Sequence, residues 1–189
     1  MKKIFILLSC ITLFVSCKKE MKISRANETI LEEIHDFSPI FIDNIKGVAK
    51  SNRNNIIGNT HWIITADRDL TLGDITEELI YLTNKKYKDD AMHPDDKNIL
   101  FIYSDTLKKQ NAFVPFHFKK ITTENIPLNE HQSLVKINNL DDVQELIFTR
   151  QTVIQFSPAI DVETFTNILI NLHLNKTFYN YSNYLIIKE

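Results

Sequence analysis

Three candidate ligands for a divalent cation, Asp67, Asp69 and His93, lie in the first half of the chain. Asp67 and Asp69 follow the run His61–Ala66, whose β-branched and aromatic residues are typical of a strand. His93 lies further on, in a charged segment. Carboxylates are ligands for Ca²⁺ or Mg²⁺, and a histidine beside them suits other divalent ions. The spacing lacks the Asp-x-Asp-x-Asp-Gly pattern of an EF-hand, so a turn at Asp67 and a solvated loop at His93 are the favoured interpretation.

A second group of candidate residues is aromatic and lies near the C-terminus. Tyr179, Tyr181 and Tyr184 are interspersed with asparagines in a segment that is predicted to form a strand. Tyrosine and asparagine are adaptable recognition residues. An edge strand would present these tyrosines to a glycan or a protein, whereas a central strand would bury them, and the sequence leaves both alternatives open.

Motifs for catalysis and nucleotide binding are missing from the sequence. The three glycines, Gly47, Gly58 and Gly73, are scattered, which excludes a Walker loop and a dinucleotide-binding fingerprint. There is no Gly-x-Ser-x-Gly elbow and no His-Glu-x-x-His pair. A net charge of −2 argues against a nucleic-acid partner, because such domains are normally basic. The sequence therefore favours a non-catalytic protein without a cofactor.

The N-terminus has the anatomy of a secretory signal. A basic start, Met1–Lys3, precedes the apolar run Ile4–Val15, which is shorter than the roughly 20 residues that span a bilayer. Ser16 and Cys17 resemble the end of the bacterial lipobox, which implies cleavage before Cys17 and acylation of that residue. The resemblance thus divides the chain into a signal peptide (1–16), a lipidated tether (17–23) and one domain (24–189). An ordinary secretory signal is the alternative.

The residues after Cys17 are similar to the export signal of surface lipoproteins in Bacteroidota, because lysines and an acid follow the cysteine in Lys18-Lys19-Glu20. This resemblance implies an envelope lipoprotein on the outer membrane, on its periplasmic or its surface face, held in the membrane through Cys17. No cysteine follows Cys17, so the domain has no disulfide and no thiol nucleophile. We expect a protein partner, as for an immunity-type protein or an accessory subunit of an envelope complex. A metal-dependent enzyme and a glycan- or peptidoglycan-binding module are the alternatives.

Hydrophobic patterning predicts the elements that position these residues. Ile30, Leu31, Ile34 and Phe37 share one face of a helix that would begin near Ser24. Ser38-Pro39 is a typical helix start, with Phe41, Ile45 and Val48 on one face of a second helix. Further predicted elements alternate between strand and helix. They are strands at 61–66, 99–103, 112–118, 134–137, 152–156 and 179–187, and helices beginning near Thr71 or Asp74, Asn139 and Asp161.

This alternation predicts one α/β (or α+β) domain with a mixed sheet of about five or six strands and three to five helices. Pro115 marks the strand at 112–118 as an edge strand or a bulge. The segments 61–103 and 152–187 share a strand–turn–helix–strand order, which fits either a duplicated unit or the ordinary pattern of such domains. The second segment bears a faint similarity to the periplasmic domains of the ExbD/TolR family, from which no function is carried over.

Overall fold

The computed structural model describes residues 21–45, 47–53, 56–87, 98–144, 152–175 and 181–189. Ten strands and three helices lie in these ranges: β1 (Ser24–Ala26), β2 (Phe37–Ile45), β3 (Val48–Ser51), β4 (His61–Ala66), α1 (Leu72–Tyr87), β5 (Ile99–Asp105), β6 (Gln110–Phe116), β7 (Lys120–Thr122), β8 (Leu134–Ile137), α2 (Asp141–Gln144), β9 (Thr152–Phe156), α3 (Val162–Leu174) and β10 (Tyr181–Ile187). None of these three helices has the length and apolarity needed to cross a membrane.

The first sheet is mixed and has six strands. β2, β4 and β5 are parallel neighbours, β3 is antiparallel to β2, and β6 is antiparallel to β5. β6 pairs along the whole length of β5 on one side. The other side of β5 is shared by β4 and β1. β4 pairs with the beginning of β5, and β1 pairs with its end.

The second sheet is parallel throughout, in the order β7-β10-β9-β8. Its strands β8, β9 and β10 reproduce the arrangement of β2, β4 and β5, with α3 in the place of α1. The turns before the two helices pair reciprocally. Leu72 N–H donates to the Ile160 carbonyl at 2.6 Å, and Val162 N–H donates to the Leu70 carbonyl at 2.8 Å. Positions 70 and 160, and likewise 72 and 162, are 90 residues apart, so the two strand–turn–helix segments contact each other through equivalent residues.

Both sheets and both long helices contribute to one hydrophobic core. Phe165 of α3 lies at its centre, with ring centroids 5.6 Å from Phe101 and 6.2 Å from Phe116 of the first sheet. Its ring is also 5.3 Å from that of Phe156 in the second sheet. α1 likewise contacts β3 of the first sheet and β7 and β10 of the second. The helices therefore lie between the sheets and join them.

The prediction of two helices before the strand at 61–66, one beginning near Ser24 and one at Ser38-Pro39, is wrong. The segment from Ser24 to Ser51 forms β1, β2 and β3 instead. A spacing of four residues, as between Phe41 and Ile45, fits the period of a helix and also the period of two in a strand. In β2 the alternation decides, because Ser38, Ile40 and Ile42 face the core while Phe37, Phe41 and Ile45 face away from it. Pro39 lies inside this strand and begins no helix.

The predicted fold class is correct, since the chain forms an α/β arrangement with a six-stranded mixed sheet and three helices. β4, β8 and β9 have the predicted bounds, and β6 lies at a sheet edge as Pro115 indicated. α3 begins where Asp161 predicts, because the Asp161 carboxylate accepts the Thr164 N–H at 2.6 Å. The second sheet is the feature that the sequence analysis did not predict.

Candidate functional site

The structure places Asp67 and Asp69 in the turn between β4 and α1. Asp67 is buried, and one of its carboxylate oxygens accepts the Asp69 N–H at 3.1 Å, while its carbonyl accepts the Leu70 N–H at 3.0 Å. Asp69 is half-exposed and forms an ion pair with Lys22, Nζ to Oδ2 at 2.7 Å. Both aspartates therefore have partners that stabilise a turn, in agreement with the simpler of the two interpretations.

Asp74 stabilises the start of α1. Its carboxylate accepts hydrogen bonds from the Thr71 N–H and the Thr71 hydroxyl, both at 2.8 Å, while the Asp74 N–H donates to the Thr71 oxygen at 3.1 Å. This reciprocal arrangement is a capping box, which makes Thr71 the helix cap.

A charged network fixes the beginning of the domain against these turns. Glu163 of α3 accepts hydrogen bonds from Arg25 and from Arg68, each at 3.3 Å. The Arg68 N–H also donates to the Lys22 carbonyl at 2.8 Å, and the Ser24 hydroxyl donates to the Val162 carbonyl at 3.3 Å. Lys22, which the sequence analysis assigns to the tether (17–23), is thus part of the folded domain.

The metal-site hypothesis gains no cluster of ligands in the ranges that the structure describes. His93 lies outside those ranges. Within them, no three or more histidine, cysteine or acidic side chains come together in a way that would hold an ion. The two histidines that do meet are His117, after β6, and His173 of α3, whose rings stack 6.2 Å apart at 5°. Burial lowers the pKa of both imidazoles, and the neighbouring His173 lowers that of His117 further.

The tyrosine hypothesis depended on the position of the last strand. β10 is an interior strand, with β7 on one side and β9 on the other. Tyr184 is half-buried, and its hydroxyl accepts a hydrogen bond from Lys120 of the neighbouring β7 at 3.2 Å. Tyr181 begins this interior strand, and Tyr179 lies outside the described residues. From Tyr184 to Ile186 the strand therefore has no free edge on its β7 side.

The most accessible apolar side chains of β2 and β3 lie on the outer face of the first sheet, away from the helices. Phe37 and Phe41 form what we call the outer-face patch, and they are 48% and 45% exposed. Ile45 and Val48, 51% and 55% exposed, are paired across the strands. They extend beyond Ile42, the last residue of β2 that pairs with β4. We call Ile45 and Val48 the overhang.

The base of the β2–β3 hairpin is attached to α1 through a buried carboxylate. Glu78 of α1 accepts a hydrogen bond from Arg53 at 2.7 Å and another from the Ser51 hydroxyl. The guanidinium of Arg53 also lies 3.9 Å from the centre of the Tyr81 ring. The Gly47 N–H donates to the Asn44 side chain at 2.7 Å, in a turn whose positive φ of 84° suits glycine. The exposed apolar residues therefore project from a braced hairpin.

The turn between β5 and β6 presents a further apolar side chain. Leu107 is 73% exposed. Below it, the buried Asp105 carboxylate accepts hydrogen bonds from the Thr29 hydroxyl and from the N–H groups of Leu107 and Lys108, the latter two at 2.9 Å. These hydrogen bonds, that from Thr29 above all, lower the pKa of Asp105. Asp105 is thus an anchor for the turn.

No protein-family model, curated protein or solved structure matches this chain. The features of the molecule itself therefore carry the functional argument. Among them, the outer-face patch and the overhang were missed in the sequence because Phe41, Ile45 and Val48 were assigned to the buried face of a helix. The alternation of small or branched core residues with aromatic residues from Phe37 to Ile42 is the signal that would have found them.

Proposed function

We propose that this chain is a lipid-anchored protein of the cell envelope whose domain binds another protein and performs no catalysis. Acylated Cys17 holds it in the outer membrane, on the periplasmic or the surface face. The signal-like N-terminus and the lipobox-like Ser16-Cys17 support this anchor.

The observation that carries the binding role is the outer-face patch. Phe37 and Phe41 project from one strand of a sheet whose other face is fully packed, and each ring leaves about half of its surface in water. Aromatic side chains bury about 150–250 Å² each and dominate the energetics of protein interfaces. Exposed apolar groups of this size on a well-ordered sheet are typical of a docking surface.

The patch sits on a rigid support, as a protein-binding surface requires. Phe41 is held by its backbone, since its N–H donates to the Asn52 side chain at 2.6 Å and its carbonyl accepts the Asn52 N–H at 3.2 Å. The residues beneath the patch, Ile40 and Ile42, are fully buried. The partner is either another subunit of an envelope complex or a toxin that an immunity-type protein neutralises.

Affinity capture from gently solubilised envelopes tests this proposal. The bait is the full chain with a C-terminal tag, in three forms: wild type, a Phe37→Ser/Phe41→Ser double variant, and a Leu174→Ser control. Leu174 is 47% exposed at the end of α3, so the control also removes an exposed apolar group, but at another place. We expect one partner in near-equal amount with wild type and control, and its loss with the double variant.

Three results contradict the proposal. If all three forms capture the same amount of partner, the outer-face patch takes no part in the interaction. A Cys17→Ser chain that fractionates with the envelope as the wild type does contradicts the lipid anchor, and so does mass spectrometry that finds no acyl group on Cys17 of the wild type.

A further inference from the structure

Two hairpin turns project from the same end of the first sheet, the end at which its parallel strands finish. β2, β4 and β5 are parallel, and both turns follow the ends of such strands. Ile42 pairs with Ala66, and the register of β4 and β5 puts Ala66 level with Tyr103. Ile45 and Thr106 each come three residues later, so both turns reach about the same height. β2 and β5 are two strand spacings apart, about 10 Å.

Both turns carry exposed aliphatic side chains beside lysines. The overhang, Ile45 and Val48, forms the first tip, and Lys50 is exposed on the same strand as Val48. Leu107 forms the second tip and is followed by two exposed lysines, Lys108 and Lys109, of which Lys108 forms an ion pair with Glu32 at 2.6 Å. Apolar tips flanked by lysines suit the boundary of a bilayer, where the apolar groups leave water and the ammonium groups meet anionic headgroups.

The length of chain between Cys17 and Ser24 allows the bilayer to lie at this end of the first sheet. Ser24 pairs with Tyr103, so both tips begin about 10 Å beyond the level of Ser24 at roughly 3.3 Å per strand residue. Cys17 lies seven residues before Ser24, a stretch that spans at most about 25 Å. This length is sufficient for the acylated residue to reach the plane of the tips, about 10 Å beyond Ser24.

The entry of the tether is also held in place. The Lys22 carbonyl and the Ile42 carbonyl accept hydrogen bonds from two consecutive N–H groups, those of Arg68 and Asp67, at 2.8 Å and 3.4 Å. The chain thus enters the first sheet on the β5 side of the turn after β4, while β2, which carries the overhang, lies on the other side of that turn.

We propose that this end of the first sheet docks on the bilayer surface, with Ile45, Val48 and Leu107 inserted among the lipid headgroups. This inference rests on the proposed lipid anchor. It assigns the two turns to the membrane and leaves the outer-face patch, whose Phe37 lies at the opposite end of β2, turned towards the protein partner.

Single-cysteine labelling of the lipidated protein tests the docking. Cys10 is removed with the signal and Cys17 is acylated under the proposed function, so an introduced cysteine is the sole free thiol. Val48→Cys and Leu107→Cys report on the two tips. Leu174→Cys is the control, because α3 ends at the opposite end of the first sheet. His173 of α3 stacks on His117. His117 follows Phe116, which pairs with Ile99 at the start of β5. Each variant carries an environment-sensitive nitrobenzoxadiazole label in protein-free vesicles of phosphatidylethanolamine and phosphatidylglycerol.

We expect the labels at positions 48 and 107 to shift their emission to shorter wavelength, to be quenched by a spin-labelled lipid and to be protected from iodide. The label at 174 stays accessible to iodide. Fluorescence of Trp62, which is buried, verifies that each variant is folded.

Three results overturn the inference. All three labels are equally accessible to iodide on a lipidated, vesicle-bound chain, in which case the anchor stands and the docking falls. The tip labels become protected only when the captured partner is added, in which case the turns bind protein. Cys17 carries no lipid by mass spectrometry, in which case the proposed function fails and the docking fails with it.

Discussion

Replacement of Phe165 by alanine tests whether one core joins the two sheets. The side chain is fully buried, and its ring contacts three others at centroid distances of 5.3–6.2 Å, two in the first sheet and one in the second. Truncation of a buried phenylalanine costs about 3–5 kcal/mol, and each aromatic pair contributes about 0.5–1.5 kcal/mol beyond its buried area. We therefore expect a loss near the upper limit, about 4–5 kcal/mol.

A loss of this size is a large part of the roughly 5–15 kcal/mol that stabilises a typical domain. Phe165→Leu keeps most of the volume and loses the ring contacts, so we expect a smaller loss of about 1–2 kcal/mol. Phe41→Ala is the matched control, because the same kind of side chain is removed from an exposed position. There we expect a change within about 0.5 kcal/mol.

Urea unfolding measures these changes with two probes. Trp62 is the single tryptophan and lies buried in the first sheet, so its fluorescence reports on that sheet. Far-ultraviolet circular dichroism reports on both sheets and the helices. We expect both probes to give the same midpoint in the wild type and in Phe165→Leu. Two separated transitions, or equal losses for Phe165→Ala and Phe41→Ala, would refute the idea of a shared core.

Three further predictions concern other parts of the fold. Because the pKa values of His117 and His173 are lowered in the folded state, the unfolded chain binds protons first, and the urea midpoint should fall as the pH drops below about 6.5; an unchanged midpoint at pH 5 contradicts this. Asp161→Ala removes the cap of α3 and should cost about 1 kcal/mol in thermal unfolding, whereas Asp161→Asn should cost less. Gly73→Val should destabilise the protein, because a Cβ there lies 3.1 Å from Pro158; a melting temperature equal to that of wild type opposes this packing.

The second half of the chain was more predictable than the first. β9 and α3 combine a short apolar run, a capping aspartate and a helical stripe, and each of these local signals agrees with the final structure. From Ser24 to Ser51 the local signals conflict, because Ser38-Pro39 imitates a helix start while tertiary pairing makes a strand. The second sheet depends on parallel pairing between distant segments, such as β7 with β10, which local patterns do not encode.

For the candidate sites, too, local features could be predicted from the sequence and features of the whole sheet could not. Asp67 and Asp69 were expected after a strand, and they lie in the turn after β4, where hydrogen bonds and an ion pair occupy them. The central position of β10 was one of two alternatives, since the number of neighbours of a strand is a property of the whole sheet. The outer-face patch was missed because exposure of Phe41 follows from which face of the sheet the helices cover.

The interior position of β10 has a consequence for folding. β10 (Tyr181–Ile187) lies between β7 and β9, so in the described sheet these two neighbours are joined through β10 and not to each other. Until β10 is in place, β7 has no neighbour in the second sheet and β9 keeps one edge unpaired. The entry of β10 is therefore the non-local step that closes the parallel sheet.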